Sequence, residues 1–290
     1  MTHPLDHLVL PTADLAVARA RLLALGFMVS PRGVHPFGTE NCCVYFADGS
    51  FMEPLAVGDA RAADMAIAAG NVFVARDRKY RERLGDEGFS AVVFGTSNAD
   101  ADHRRYCEAG FSAGARLDFS RPFVDAAGKS DTASFRLAFA SGKAASDAFQ
   151  FSCERVDAPR VDRAALQTHD NSAAAIVEVV AIGSNPSAQL RLLGIAADAS
   201  PAPLAETSEL ILPNAKLSVV TPQDYARRFG LPAADPTDLR FAAVVFSVAS
   251  LRNLRTVLAQ RGIGYDIGDE QIIVAPAPGQ GAAFIFKEQA

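Results

Sequence analysis

Two carboxylates stand inside otherwise apolar runs: Glu53 in FMEPL and Glu154 in FSCER. Desolvating a carboxylate is unfavourable unless it faces a cleft, a cation or a metal, so both are candidates for chemistry. Glu288, in IFKE, lies two residues from the C-terminus and reads as a solvated end residue. His7 puts an imidazole into the run LDHLVL, and His35 sits in GVHPFGTEN, where Gly33, Pro36 and Gly38 favour turns. An imidazole and a carboxylate facing one cleft can move protons near neutral pH or hold a ligand. Glu53 and His35 are the candidate acid–base groups, although His35 also reads as an exposed loop histidine. Thr39 and Asn41 either orient a substrate or cap the turn. Arg155, next to Glu154, either pairs with it at the surface or binds an anionic substrate. His169 reads as structural, and His3 and His103 as solvated.

These residues need elements to position them, and an internal repeat supplies the elements. FSAVVF (89–94) and FAAVVF (241–246) are two copies of a short strand rich in Val and Phe. Each is followed by a helical pattern that ends at Gly plus an apolar residue, Gly110-Phe111 and Gly262-Ile263. The N-terminal segment fits the same template. Its strand is LDHLVL, its helix starts at Asp14 with Leu15, Ala18, Leu22 and Leu25 on one face, and it ends at Gly26-Phe27. A weaker copy has the strand AIVEVVAI, a start at Asn185-Pro186 and an end at Gly194-Ile195. Period-two segments with Gly-rich turns follow each helix, including an Ala-Asp-Gly-Ser hairpin turn at 47–50.

The reading is an α+β fold of four tandem βαβββ modules, near 5–57, 88–157, 173–222 and 239–289. The modules pair into curved mixed sheets with a central cleft. Residues 1–157 form an N-terminal paired-module domain and 158–290 a C-terminal one, whose third module is degenerate and short of a strand. The boundary is expected in the polar stretch 157–172, and the Ala- and Arg-rich stretch 58–83 is expected to be partly helical. Counting back nineteen residues from the closing Gly gives His7, Ala91 and Ala243; the third module is shorter, and counting along its strand gives Glu178 or a neighbour. An imidazole where two sibling modules carry Ala is less readily a packing choice, so His7 reads as functional, the alternative being a core histidine with no role.

Bulk properties narrow the class. The chain has 290 residues, 49% of them hydrophobic, and a formal charge of −5. No basic run suggests nucleic acid. No apolar stretch approaches the roughly 18 residues that span a bilayer, and no basic n-region precedes the first apolar run. A cytoplasmic location is therefore expected. The four cysteines form no CxxC pair and read as reduced core thiols. Serine-hydrolase, P-loop, HExxH and dinucleotide-binding signatures are missing from the sequence.

The opening module carries a resemblance. LDHLVLPTADLAVARARLLALGF, then HPFGTEN, then a strand ending in FMEPL resembles the first module of glyoxalase-like proteins of the vicinal oxygen chelate superfamily. The matching positions are His7, Gly26, Phe27, His35, Gly38, Thr39, Asn41 and Glu53. FSCER followed by THDN is similar to that family's Cys-containing strand and His-x-Asn segment, with Glu154 and Arg155 where Gln and His are usual. The resemblance implies a glyoxalase/dioxygenase-like fold and a divalent metal (Mn, Fe, Ni, Co or Zn) in the paired-module cleft. His7 and Glu53 would be ligands, with Glu154 a third. It implies a small-molecule enzyme of lyase, isomerase or dioxygenase type, with a homodimer as one assembly. The alternative is a non-catalytic protein that sequesters a hydrophobic small molecule, as drug-resistance relatives do. Metal-free contact of His7 and Glu53 with each other or with a ligand also remains open.

Overall fold

In the computed structural model, residues 1–124, 130–142, 148–157, 164–199, 209–233 and 239–289 are described. Part of the expected boundary stretch, residues 158–163, lies outside them.

The first module runs β1 (Leu5–Pro11), α1 (Leu15–Ala24), β2 (Gly33–Val34), β3 (Thr39–Asn41), β4 (Val44–Tyr45) and β5 (Phe51–Val57). Asp14 caps α1 by accepting from the N–H groups of Ala16 and Val17. Gly26 then leaves the helix at φ 88°, a conformation that disfavours side chains with a Cβ. The stretch 58–83 contributes α2 (Ala60–Ala68) and α3 (Val72–Leu84). The second module is β6 (Ala91–Thr96), α4 (Ala99–Glu108), β7 (Leu117–Val124), β8 (Ser130–Ala140) and β9 (Phe149–Asp157).

The third module is β10 (Ala173–Ile182), α5 (Pro186–Ala196), β11 (Glu209–Ile211) and β12 (Lys216–Val220), followed by α6 (Pro222–Phe229). Among the described residues it has three strands where the second and fourth modules have four. Asn185 caps α5 and Pro186 opens it, but Gly194 does not close it. The helix runs two residues further, and Asp198, at φ 50°, makes the left-handed exit instead. The fourth module is β13 (Arg240–Val248), α7 (Leu251–Gln260), β14 (Asp266–Gly268), β15 (Gln271–Val274) and β16 (Ala283–Glu288).

Two mixed sheets result. The first has the order β2-β3-β5-β1-β6-β9-β8-β7, with β4 pairing β5, and the second β11-β12-β10-β13-β16-β15-β14. In each sheet the two modules meet through their first strands, β1 against β6 and β10 against β13, both antiparallel. This is the curved paired-module architecture of the glyoxalase/dioxygenase-like fold.

Strand alternation divides the apolar residues between two faces. Leu8, Val92, Val179, Val244 and Phe284 belong to one core with Leu22 of α1, Tyr106 of α4, Leu193 of α5 and Leu258 of α7. The four helices thus lie between the two sheets. The opposite, concave faces are filled separately. Val9, Val93 and Phe151 of the first sheet pack with Phe73 and Val74 of α3. Val180, Val245 and Ile285 of the second pack with Tyr225 and Phe229 of α6. Among the described residues no helix is long and apolar enough to cross a membrane.

Candidate functional site

Register identifies the equivalent positions in the four modules. In the first, His7 pairs Phe51 and Val9 pairs Glu53 across the parallel β1–β5 ladder. The same two-residue relation pairs Ala91 with Phe149 and Val93 with Phe151, Glu178 with Lys216 and Val180 with Ser218, and Ala243 with Ala283 and Val245 with Ile285. The His7 position is therefore Ala91, Glu178 and Ala243 in the other modules, Ala91 and Ala243 as counted from the closing glycines and Glu178 as counted along its strand. The Glu53 position is Phe151, Ser218 and Ile285.

In the first sheet both polar residues point into the concave face, with Glu53 between two imidazoles. His7 Nε2 is 3.5 Å from Glu53 Oε2, and His35 Nε2 is 3.6 Å from Glu53 Oε1. Asn41 Nδ2 donates to Glu53 Oε1 at 2.6 Å. Asn41 lies on β3, the antiparallel neighbour of β5, which brings its amide to the carboxylate. The His–Glu separations are too long for hydrogen bonds, so Oε2 has no donor among the described residues. His7, His35 and Glu53 are all buried.

Each imidazole is held on its other nitrogen. His7 Nδ1 meets Asp6 Oδ1 at 2.6 Å. Asp6 would point away from His7 in a regular strand, but the β1–β6 register shifts between Leu5 and His7, and a bulge of this kind re-aims a side chain. Arg155 closes the chain, with guanidinium nitrogens 2.6 and 2.8 Å from Asp6. Burial raises the Asp6 carboxyl, but the hydrogen bond and charge of His7 and the charge of Arg155 outweigh it, leaving Asp6 below its ordinary value. His35 Nδ1 lies 2.9 Å from Thr39 Oγ1. Burial pushes the His35 pKa down to about 4, so its ring is neutral at pH 7. A neutral ring facing a carboxylate is best accommodated with its proton on Nε2, which makes the Thr39 hydroxyl the donor to Nδ1.

The three groups line a cavity of about 60 Å³ walled by Phe37, Phe73, Phe119, Phe135 and Phe151. The Phe51 ring stacks on His7 at 4.4 Å and Phe37 on His35 at 5.0 Å. Arg121, on β7, also lines the cavity. Sequence reading passed over Arg121, although the alternation Phe119-Arg121 in LDFSRPFV places it on the aromatic face. Asp6 was likewise missed, because only the bulge turns it to His7.

Three expectations need correction. Glu154 does not join His7 and Glu53. Phe151 and Cys153 take the cavity face of β9, and the intervening alternation turns Glu154 to the other side. There it accepts from the N–H of Ala99 at the start of α4 and lies 3.7 Å from Arg136. Arg155 pairs with Asp6 rather than with Glu154 or a free site. The cysteines are all free thiols, but Cys107 is exposed on α4 rather than in the core. Burial raises the Cys43 and Cys153 thiols well above their ordinary value, so neither is a nucleophile at neutral pH.

The implied metal meets a donor set that does not fit it. The second module's two equivalent positions are Ala91 and Phe151, leaving His7 and Glu53. His35 faces the opposite oxygen of Glu53 from His7. Among the described residues no group of three His, Cys, Asp or Glu side chains converges as a metal's ligands would.

In the second sheet, Glu178 and Ser218 meet directly, Ser218 Oγ donating to Glu178 Oε1 at 2.6 Å. Arg228 of α6 donates to both Glu178 oxygens, at 2.8 and 2.6 Å. The corresponding position is thus filled by the chain's own helix.

Comparison with known proteins agrees with this architecture. No curated protein matches the chain. A Staphylococcus aureus protein described as hypothetical superposes with a TM-score of 0.65 at 12% identity, over 98% of this chain and 99% of that one. A mutant 4-hydroxymandelate synthase from Streptomyces coelicolor gives 0.63 at 14% identity, over 99% of this chain and 93% of the other. A xylose isomerase-like TIM barrel/4-hydroxyphenylpyruvate dioxygenase fusion protein gives 0.53 at 11% identity, with 99% of this chain covering 49% of that one. At these identities the likeness is one of fold. The family match is to the glyoxalase-like domain, over residues 5–194. The chain belongs to the glyoxalase-like domain family.

Proposed function

We propose that the chain is a glyoxalase-type enzyme that moves a proton on a small oxygenated molecule, with Glu53 as the base. The observation that carries this is the environment of Glu53. Its Oε1 is held by Asn41, while its Oε2 faces the cavity without a donor and within 3.5 Å of the His7 ring. A fixed carboxylate with one free oxygen in an aromatic-walled pocket is suited to taking a proton from carbon next to a carbonyl. The C–H electron pair then passes to the carbonyl oxygen, giving an enolate. His7, oriented by Asp6, is placed to give that oxygen a proton. Neutral His35 offers an Nε2–H as a hydrogen-bond donor. The neighbouring hydroxyl of the enediol gives its proton back to His7 as Glu53 returns its proton to the former carbonyl carbon, which completes an isomerisation.

The test is exchange. Full-length protein is incubated in D2O with 2-hydroxy- and 2-oxo-carbonyl compounds, and loss of the proton next to the carbonyl is followed by NMR. Exchange by the wild type that Glu53→Gln removes supports the proposal. Five phenylalanines in the wall favour a second reading, a protein that binds an apolar molecule without turnover. Saturable binding with no exchange across the panel would decide for that reading.

A further inference from the structure

Arg121 stands in the cavity with no partner for its charge. Among the described residues no carboxylate pairs with Arg121, whereas Arg155 has Asp6 and Arg228 has Glu178. Its guanidinium lies 5.9 Å from the centre of the Phe135 ring, and this contact leaves its N–H donors free. The head group is also fixed beside the reacting groups. A Cβ built on Gly33 would meet Asn41 Oδ1 at 2.4 Å and an Arg121 terminal nitrogen at 3.0 Å. Arg121 and Asn41 therefore converge over the same glycine, and Asn41 holds Glu53. The Arg121 charge also contributes to lowering His35, after burial, so the guanidinium acts electrostatically on the site.

We infer that Arg121 is an anion anchor and that the substrate is a short carboxylic acid with an oxygen on its 2-carbon. A guanidinium half-buried among aromatic rings lacks part of its water and lacks a counter-ion, and a carboxylate supplies two parallel acceptors to its fork. The cavity of about 60 Å³ limits the acid to a few heavy atoms. With the carboxylate on Arg121, the 2-carbonyl and its neighbouring C–H lie towards His7 and Glu53. The part of the inference that concerns the 2-oxygen rests on the proton-transfer reading; the anion site does not.

Binding of pyruvate and of pyruvamide to the full-length protein tests it, by calorimetry and thermal shift, with lactate and acetate as further carboxylates. Wild type binds pyruvate saturably and pyruvamide at least tenfold more weakly. Arg121→Gln weakens pyruvate about 10- to 100-fold, the loss expected for charge-assisted hydrogen bonds. Arg121→Lys, which keeps the charge without the fork, falls between the two. Circular dichroism without ligand confirms that both variants fold. Glu53→Gln retains pyruvate binding, so retained exchange in that variant with intact Arg121-dependent binding would sink the base assignment alone. Equal binding of the amide, unchanged binding in Arg121→Gln, or no saturable binding by any of the three acids overturns the anchor.

Discussion

Glu178 occupies in the second sheet the register position that His7 occupies in the first. His7 leads to a cavity, whereas Glu178 is closed by Ser218 and the fork of Arg228. Two cations attend it, since Lys216 Nζ also lies 3.8 Å from Glu178. Burial raises the Glu178 carboxyl, but its hydrogen bonds from Arg228 and Ser218 bring it below the ordinary value.

Removing that closure should cost stability and spare chemistry. Arg228→Ala leaves a buried carboxylate short of its bidentate partner, for a loss of about 3 kcal/mol. Urea denaturation should show the loss, while exchange activity per folded molecule stays at the wild-type rate. Activity falling by an order of magnitude in folded protein would mean that the second half takes part in the reaction.

Glu53→Gln keeps the shape of the side chain and removes the base. Exchange should fall by about 10²- to 10⁴-fold, the range that a positioned acid–base group contributes. Thermal stability should change little, because the imidazoles lie beyond hydrogen-bond distance of Glu53. Retained exchange in the purified variant would dismiss Glu53 as the proton acceptor.

His35 makes stability depend on pH. Its folded pKa of about 4 lies below the ordinary 6.5, so the unfolded chain binds the proton more readily. This contribution is intact above pH 6.5, declines as pH falls towards 4 and is fully lost below it. The total is about 3 kcal/mol. Denaturation midpoints measured between pH 7 and 4 should fall along this course, and His35→Gln should flatten that part of the curve. An unchanged slope in the variant would assign the dependence to other groups.

Asp6→Asn tests the orientation of His7. It removes the charge between His7 and Arg155 and should destabilise the fold by about 2 kcal/mol. The low Asp6 carboxyl contributes stability above about pH 4 that is lost as pH falls through its folded value. The acid limb of the stability profile should therefore shrink in the variant. The pH optimum of exchange should move as well, a change that a purely structural Asp6 would not produce.

Gly33→Ala should disturb the site from outside it. The added methyl would sit 2.4 Å from Asn41 Oδ1, so Asn41 must shift and release Glu53 Oε1. Exchange should drop about tenfold or more with the fold intact by circular dichroism. Wild-type activity would show that Asn41 has room to move.

Much of the architecture was legible because repeats write it several times. The spacing from His7 to Gly26 recurs from Ala91 to Gly110 and from Ala243 to Gly262, and strand register confirms those equivalences. Where one copy departed, the reading slipped. Gly194 looked like a cap, but the helix continues to Ala196 and leaves through Asp198. The site was half legible. His7, His35, Asn41 and Glu53 meet; the resemblance of the opening module singled out all four but brought only His7 and Glu53 together. Glu154 does not, because one step of strand parity separates it from the cavity face, and Glu-Arg adjacency in sequence does not reveal parity. Asp6 depends on a bulge and leaves no local pattern, whereas Arg121 shares strand parity with Phe119 and was open to reading from that alternation.

The layer of α1, α4, α5 and α7 has two owners. Neither sheet possesses a back of its own, so cutting the chain between the halves would strip both at once. The half with the blocked cleft therefore earns its place as a lining for the other.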